Sequence, residues 1–405
     1  MSILSGISTQ QMWPLNRGAA KILDSKNPGR LSPSLPLDRG KSLWEQNTRM
    51  VNPISTPSFP QQDTRSLPFR WKHSPGSGNS NGDDFRPISG RGPDGRPRFD
   101  QPVASGGYLW WYIDGTSDDG RHALTIIVFV GSVFSPYYSN AQKKDKNVNP
   151  EDFCAFNVAL YEPDKNIWTM NERSSKYVQR KSESFTIGKS SIQCVDSTIE
   201  INIDEVSSPF PQRVQGTVKI NSNQFLLYRT WLDDAQKHRW GPIAPSASIE
   251  VDFPSHNISW KGHGYVDSNE GDEPLEKPFK EWDWARTYLE DGSAVVFYDV
   301  KQRVGRQRVL PLRFFPNGDV ERIAPPPRQD LPDSRWMLSR VMRSEPARPA
   351  HILRVLEDTP FYSRILLSSG LLNDRRLVVH ETLNLDRFSS KLTKLMLPWR
   401  MPRVG

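Results

Sequence analysis

From about residue 98 onward the chain is written in short runs of β-branched and aromatic residues, and no other feature narrows its fold as far. The runs include "GYLWWYID" (Gly107–Asp114), "LTIIVFVGSV" (Leu124–Val133), "AFNVALYE" (Ala155–Glu162), "STIEINIDEV" (Ser197–Val206), "RVQGTVKI" (Arg213–Ile220), "AVVFYDV" (Ala294–Val300), "VLPLRFF" (Val309–Phe315) and "RLVVHETLNL" (Arg376–Leu385). Such residues suit a pleated, half-buried surface. Asp119-Gly120, Asp291-Gly292 and Asn317-Gly318 lie between runs, where hairpins turn. Many short strands at close spacing predict an all-β body of sandwiches or barrels rather than a parallel sheet. "DDGRHALTIIVFV" and "EDGSAVVFYDV" echo each other as an Asp-Gly turn followed by an apolar strand, which hints at two similar β-units.

Residues 1–97 read differently. They hold 12 of the 34 prolines and segments such as "HSPGSGNSNGDDF" (His73–Phe85), which cannot bury enough surface to offset chain entropy. A disordered basic Pro/Gly/Ser-rich tail is expected there. It carries 13 Lys and Arg against 7 Asp and Glu, whereas the body is almost balanced. The excess charge therefore belongs to the tail, not to a basic face of the body, and no nucleic-acid partner is expected.

Cys154 and Cys194 make no disulfide framework, so a reducing compartment is expected. The N-terminus lacks the pattern of a signal peptide. The longest apolar run, "ALTIIVFVGSVF" (Ala123–Phe134), is too short to span a bilayer. Near the C-terminus, "LDRFSSKLTKLMLPWRMPR" (Leu385–Arg403) places Phe388, Leu392, Leu395 and Met396 on one helical face. That helix either caps a barrel or lies on a membrane surface, with Trp399 and Arg400 at the lipid headgroups.

The stretch "WKGHGYVDSNEGDEPL" (Trp260–Leu275) raises the question of chemistry. Read as a strand, it sets His263, Tyr265 and Asp267 on one face. Upstream, "KHRW" places His238 and Trp240 two residues apart. Tyr108, Trp110, Tyr112 and Asp114 alternate along an earlier run, and Trp282 and Trp284 lie just downstream. Aromatic faces stabilise cations without being nucleophilic. A carboxyl in apolar surroundings stays protonated and can act as an acid, and a nearby imidazole or phenol can hold or deprotonate a water. Together these suit a reaction through a carbocation. The same residues could also be core aromatics, a hydrogen-bonded structural histidine and a turn-starting aspartate. Glycosidase chemistry from Asp267, Glu270 and Glu273 is conceivable too, whereas no metal spacing, phosphate loop or nucleophile elbow is present.

At these residues the sequence resembles the bacterial carotenoid 1,2-hydratases, also called hydroxyneurosporene synthases. The likeness runs from "GRPRFDQPV" (Gly95–Val103) to "LPWRMPR" (Leu397–Arg403). Its most specific parts are "WWYIDGTSDDGRHALTIIVFVGSVFSPYY" (Trp110–Tyr138), "RWGPIAPSASIEVDF" (Arg239–Phe253), "GHGYVDSNEGDEPLEKPFKEWDWARTYL" (Gly262–Leu289) and "LEDTPFYSRILLSS" (Leu356–Ser369). The resemblance implies two lipocalin-like β-barrels in tandem, expected over 98–245 and 246–385, with a C-terminal amphipathic helix over 386–405. It implies addition of water to the terminal C1–C2 double bond of acyclic carotenoids such as neurosporene and lycopene, with no redox cofactor and no metal. The family's H-x-W motif falls on His238 and Trp240, and its Y-x-D motif on Tyr265 and Asp267. Asp267 would protonate C2, Trp240 and Tyr265 would stabilise the cation, and His238 would position or deprotonate water. His263, Trp110, Tyr112, Trp282 and Trp284 are expected to line the substrate site.

A carotenoid substrate dissolves in membrane, so the expected partners are the carotenoid, water and membrane lipid at the protein surface. The expected location is cytoplasmic, peripherally associated with the inner (photosynthetic) membrane. A non-catalytic carotenoid or lipid carrier, or a related isoprenoid-modifying enzyme, could use the same barrels. Product analysis on a substrate panel separates these readings.

Overall fold

The computed structural model describes residues 70–71 and 90–404. The body is all-β, as its strand pattern predicts. The elements that build the site are β1 (Tyr108–Ser117), β2 (His238–Phe253), β3 (Ile258–Gly271), β4 (Phe279–Tyr288), β5 (Ala294–Gln302), β6 (Tyr362–Leu371) and β7 (Asp374–Asn384). Three helices matter: α1 (Pro136–Lys144), α2 (Leu385–Phe388) and α3 (Lys391–Arg400).

Twelve antiparallel strands, among them β1, β2 and β3, form a first sheet that curls into a nearly closed barrel. One edge strand (166–173) is drawn across to the interior strand 198–206, where Asn171 donates to Glu205 and to the Val206 carbonyl. Inward-facing residues such as Trp111, Ile126, Phe156, Ile201 and Val266 fill the interior. An eight-stranded sheet follows, with β4 between β5 and β7 and β6 beyond β7. One face of it packs with a two-stranded hairpin (328–331 and 340–343) around Ala285, Val295, Leu331, Met342 and Ile365. Its other face covers the outer side of β1, β2 and β3, and the aromatic layer between the sheets includes Trp110, Trp240, Tyr265, Trp284 and Tyr298.

The hand-over between sheets differs from the expected boundary at 245/246. β2 runs through that point without a break, and β3 stays in the first sheet. Two register shifts between Pro242 and Ala247 absorb the proline-rich "GPIAPSAS" as bulges within the strand. The crossing comes later, between Gly271 and Phe279.

The tail expected over 1–97 lies mostly outside the described residues, but 90–97 belongs to the fold. Arg91 bridges to Pro97 across a tight turn. Its buried guanidinium donates to the carbonyls of Leu226, Tyr228, Gly241 and Pro242 and to Ser268 Oγ. Turn-forming residues can still be anchored when distant carbonyls take up a charged donor.

The C-terminal segment is two helices, because Ser390 caps a fresh start by accepting from Thr393 N. The break sends the expected apolar face two ways. Phe388 packs against Phe134 and Phe361, whereas Leu392, Leu395 and Trp399 are exposed.

A buried ionic cluster holds the two sheets together. Asp114 of β1 pairs with Arg286 of β4 and Arg364 of β6, and Arg364 also pairs with Glu381 of β7. Two cations meet two anions, so the cluster is neutral in sum. Arg364→Met should cost about 3–5 kcal/mol by leaving buried carboxylates short of a cation. Urea unfolding at neutral pH measures this, and a loss under about 1 kcal/mol would show that docking of the sheets does not depend on the cluster.

Candidate active site

Strand alternation alone explains why β3 carries acid-base groups on one side. Its inward residues Ile258, Trp260 and Val266 belong to the barrel core. Its outward residues begin in solvent, at Ser259, Lys261 and His263, and then pass under the second sheet at Tyr265, Asp267 and Asn269. The same face is a surface at one end and an interior at the other.

The register sets the covered face out in rows. His238 of β2, Gly271 of β3 and Tyr108 of β1 lie side by side. The next row is Trp240, Asn269 and Trp110, and the next Pro242, Asp267 and Tyr112. Tyr265 and Asp114 follow. From the opposite sheet, Trp284 packs edge-on to Tyr265 and Tyr112, at centroid distances of 5.3 and 5.5 Å. Tyr298 meets Trp240 edge-on at 5.5 Å, and Trp282 packs against Tyr298.

Asp267 lies at the centre of this enclosure and is 3% exposed. Its Oδ2 accepts from Trp240 Nε1 at 2.7 Å and from the Tyr265 hydroxyl at 2.8 Å. Its Oδ1 is buried with no protein partner. Burial raises its pKa to about 7, and the two hydrogen bonds hold it from rising further. Because Oδ2 already takes two donors, the proton of the acid form belongs on Oδ1, the free oxygen. A neutral carboxyl with its proton aimed into an aromatic enclosure is a positioned acid.

His238 is fully buried. Its Nδ1 lies 2.9 Å from the Tyr108 hydroxyl, its ring packs on Phe279, and its Nε2 has no protein partner. Burial lowers its pKa against the pull of Asp233, so it is neutral at pH 7. Gly271 makes the approach possible, since a Cβ there would lie 2.5 Å from His238 Nδ1 and 2.5 Å from Tyr108.

The structure thus brings together His238, Trp240, Tyr265 and Asp267, with Trp110, Tyr112, Trp282 and Trp284 around them. It does not bring in His263. That imidazole shares the strand face, but the second sheet stops short of it; its side chain is 57% exposed and stacks on Tyr288 at 4.7 Å. Asp114, the other carboxyl on this face, is held between two arginines.

Several participants gave no local signal in sequence. Tyr298 and Glu381 come from distant strands, and Glu381 reaches the face by accepting from the Tyr112 hydroxyl at 2.7 Å. Asn269 was accessible, as the next position on the face after Asp267 at a spacing of two.

Comparison with known proteins agrees with the all-β, lipocalin-like fold and points to one family. The family model for carotenoid hydratase CrtC matches residues 126–405. An acyclic carotenoid 1,2-hydratase of Rubrivivax gelatinosus is 49% identical over 310 residues, 76% of each chain. One of Thiocapsa roseopersicina is 42% identical over 383 residues, 93% of each chain. A crystal structure of a candidate AttH from Nitrosomonas europaea aligns with a TM-score of 0.51 at 14% identity, over 77% of this chain and 98% of that one, and supports the lipocalin-like fold alone. By sequence match over most of its folded length, the chain belongs to the carotenoid hydratase family.

Proposed function

We propose that this chain adds water across the terminal C1–C2 double bond of an acyclic carotenoid such as neurosporene or lycopene, by protonation followed by water capture. The observation that carries the reading is the Asp267 carboxyl, with Oδ2 held by Trp240 and Tyr265 and Oδ1 unengaged. Oδ1–H gives its proton to C2, leaving the positive charge on the tertiary carbon C1. The rings of Trp240, Tyr265, Trp284 and Tyr298 surround that carbon and stabilise the cation without reacting with it. Water attacks C1, and the oxonium loses a proton to neutral His238. Transfer of that proton back to the Asp267 carboxylate restores both groups, so the net change is one water added.

The acid works because its surroundings are dry. An alkene is a very weak base, and a carboxylate already ionised in water could not protonate it. Both Trp240 and Tyr265 donate to Oδ2, so as the proton leaves, the developing carboxylate already has two donors in place.

The substrate is an apolar chain roughly as long as a bilayer core is thick, ~30 Å, so we place the enzyme at a membrane surface. No helix among the described residues is long and apolar enough to cross a membrane. Leu392, Leu395 and Trp399 form an exposed apolar stripe on α3, with exposed Lys391 beside it, as interfacial helices carry. This helix is tied to the neighbourhood of Tyr108, the hydrogen-bond partner of His238. A small pocket beside Tyr108 is lined by Ser139 and Glu276, and Lys394 of α3 reaches both, at 3.3 and 3.4 Å.

Asp267→Asn should remove nearly all hydration, a fall of at least about 10²–10⁴-fold, while carotenoid binding followed by absorbance is retained. Substantial remaining turnover would mean that another group is the donor. Turnover at saturating substrate should fall as pH rises through about 7, since the protonated carboxyl is the working form and that is where it is lost. On the acid side, burial keeps His238 neutral, so activity should persist below the ordinary imidazole pKa of about 6.5. A rise in kcat through neutrality would reverse the assigned protonation state. For the surface helix, Leu392→Asp should weaken binding to anionic vesicles in a flotation assay and leave the far-UV spectrum unchanged. Unaltered flotation would make α3 a structural cap.

A further inference from the structure

The acid step accounts for Asp267, Trp240 and Tyr265, but it leaves unexplained how water is kept beside C1. Two buried polar atoms on the same face are unused by that step. Asn269 is 4% exposed; its side chain lies within hydrogen-bonding reach of the Tyr298 hydroxyl, but its Nδ2, which carries two hydrogens, makes no well-formed hydrogen bond to the protein. His238 Nε2 is buried and likewise without a protein partner. Buried donors and acceptors are nearly always satisfied, so two such groups close together call for a common explanation.

Their placement supplies one. Asn269 is opposite Trp240, and His238 is opposite Gly271. Asn269 and His238 are therefore diagonal neighbours on adjacent strands, roughly 7–8 Å apart at the backbone and less between side chains. A single water can bridge polar atoms at such positions. Gly271 gives up its side-chain space to the His238 and Tyr108 rings, which fixes the imidazole over β3. Trp110 and Trp240 flank Asn269 on either side. Asp267 is the next outward position on β3 after Asn269, so the acid and the two unsatisfied groups occupy successive rows of one covered face.

We infer that Asn269 and His238 together form the binding site for the water that captures the cation. Asn269 Nδ2 donates to the water oxygen, and the water donates one of its hydrogens to His238 Nε2. One lone pair is left to form the C1–O bond, and as it forms, that hydrogen passes to Nε2 as a proton. Asn269 gains and loses no proton; its task is to fix the oxygen on the side of C1 facing the imidazole. The inference rests on the protonation reading above.

A cation that is not captured must lose a proton and return to an alkene, and this separates the two steps. Lycopene is incubated in D2O with wild type, Asn269→Leu and Asn269→Ala, and both the alcohol and the recovered hydrocarbon are analysed by mass spectrometry and NMR. Wild type should yield alcohol carrying deuterium at C2. Both variants should lose hydration by about 10²-fold, the order expected when a reactant is displaced by about 1 Å. They should still place deuterium in the recovered hydrocarbon, so the ratio of exchange to hydration rises at least tenfold. Leucine approximates the shape of asparagine, and alanine adds no volume should leucine not be accommodated. Thermal unfolding and near-UV spectra confirm a folded site. If exchange and hydration fall together, or hydration is unchanged, Asn269 does not hold the water. If instead the wild-type alcohol lacks deuterium at C2, the protonation reading itself fails, and that result is visible without any variant.

Discussion

The outer face of a barrel is ordinarily a wet surface, and here a second sheet lies over it. Everything about the site depends on that burial. β3 changes from a solvated strand at His263 to a dry one at Asp267 within four residues, solely because β4, β5 and β7 cover one end. The cover is held by Asp114 between Arg286 and Arg364, an ion cluster placed on the same strand face as the site. Charges in so dry a place are tolerable only when fully paired. Here they are, and the pairing ties strands from both sheets to one point.

Two carboxyls therefore share a face and have opposite characters. Asp114 and Asp267 are diagonal neighbours across β1 and β3. Asp114 has two guanidinium partners. Asp267 has an indole N–H and a phenol O–H, neutral donors that stabilise its anion less than a cation would. Burial then outweighs the hydrogen bonds and raises the Asp267 pKa to about 7, so that a large share of it carries a proton near neutral pH. The partners, more than the residue type, separate a structural anion from an acid.

The aromatic layer serves stability and, in the proposed reaction, chemistry as well. Trp240, Tyr265, Trp284 and Tyr298 supply much of the apolar area between the sheets, packed edge to face. Two of these side chains, Trp240 and Tyr265, also hold the carboxyl whose other oxygen is left free. A core of aliphatic residues would join the sheets equally well but would leave a carbocation without electron-rich neighbours.

The short β-branched runs and Asp-Gly turns sufficed to read the all-β body, because strand propensity and turn chemistry are local. Period two likewise placed Tyr265 with Asp267 and His238 with Trp240, and the resemblance of those motifs to a known family gave them roles. What alternation cannot reveal is where along a face water is excluded. His263 satisfies the pattern and lies in solvent, whereas Asn269 satisfies it just as well and is buried. Arg91 sits in a stretch that reads as turn and tail, yet carbonyls more than a hundred residues away anchor it. The break at Ser390, which parts Phe388 from Leu392, rests on a single capping hydrogen bond. Sequence by itself thus determined the strands, their faces and the residue types able to handle a cation. The tertiary structure alone decided which part of a face is dry, which carboxyl is paired and which atom is left free, because desolvation and ion pairing are set by partners far away in the chain.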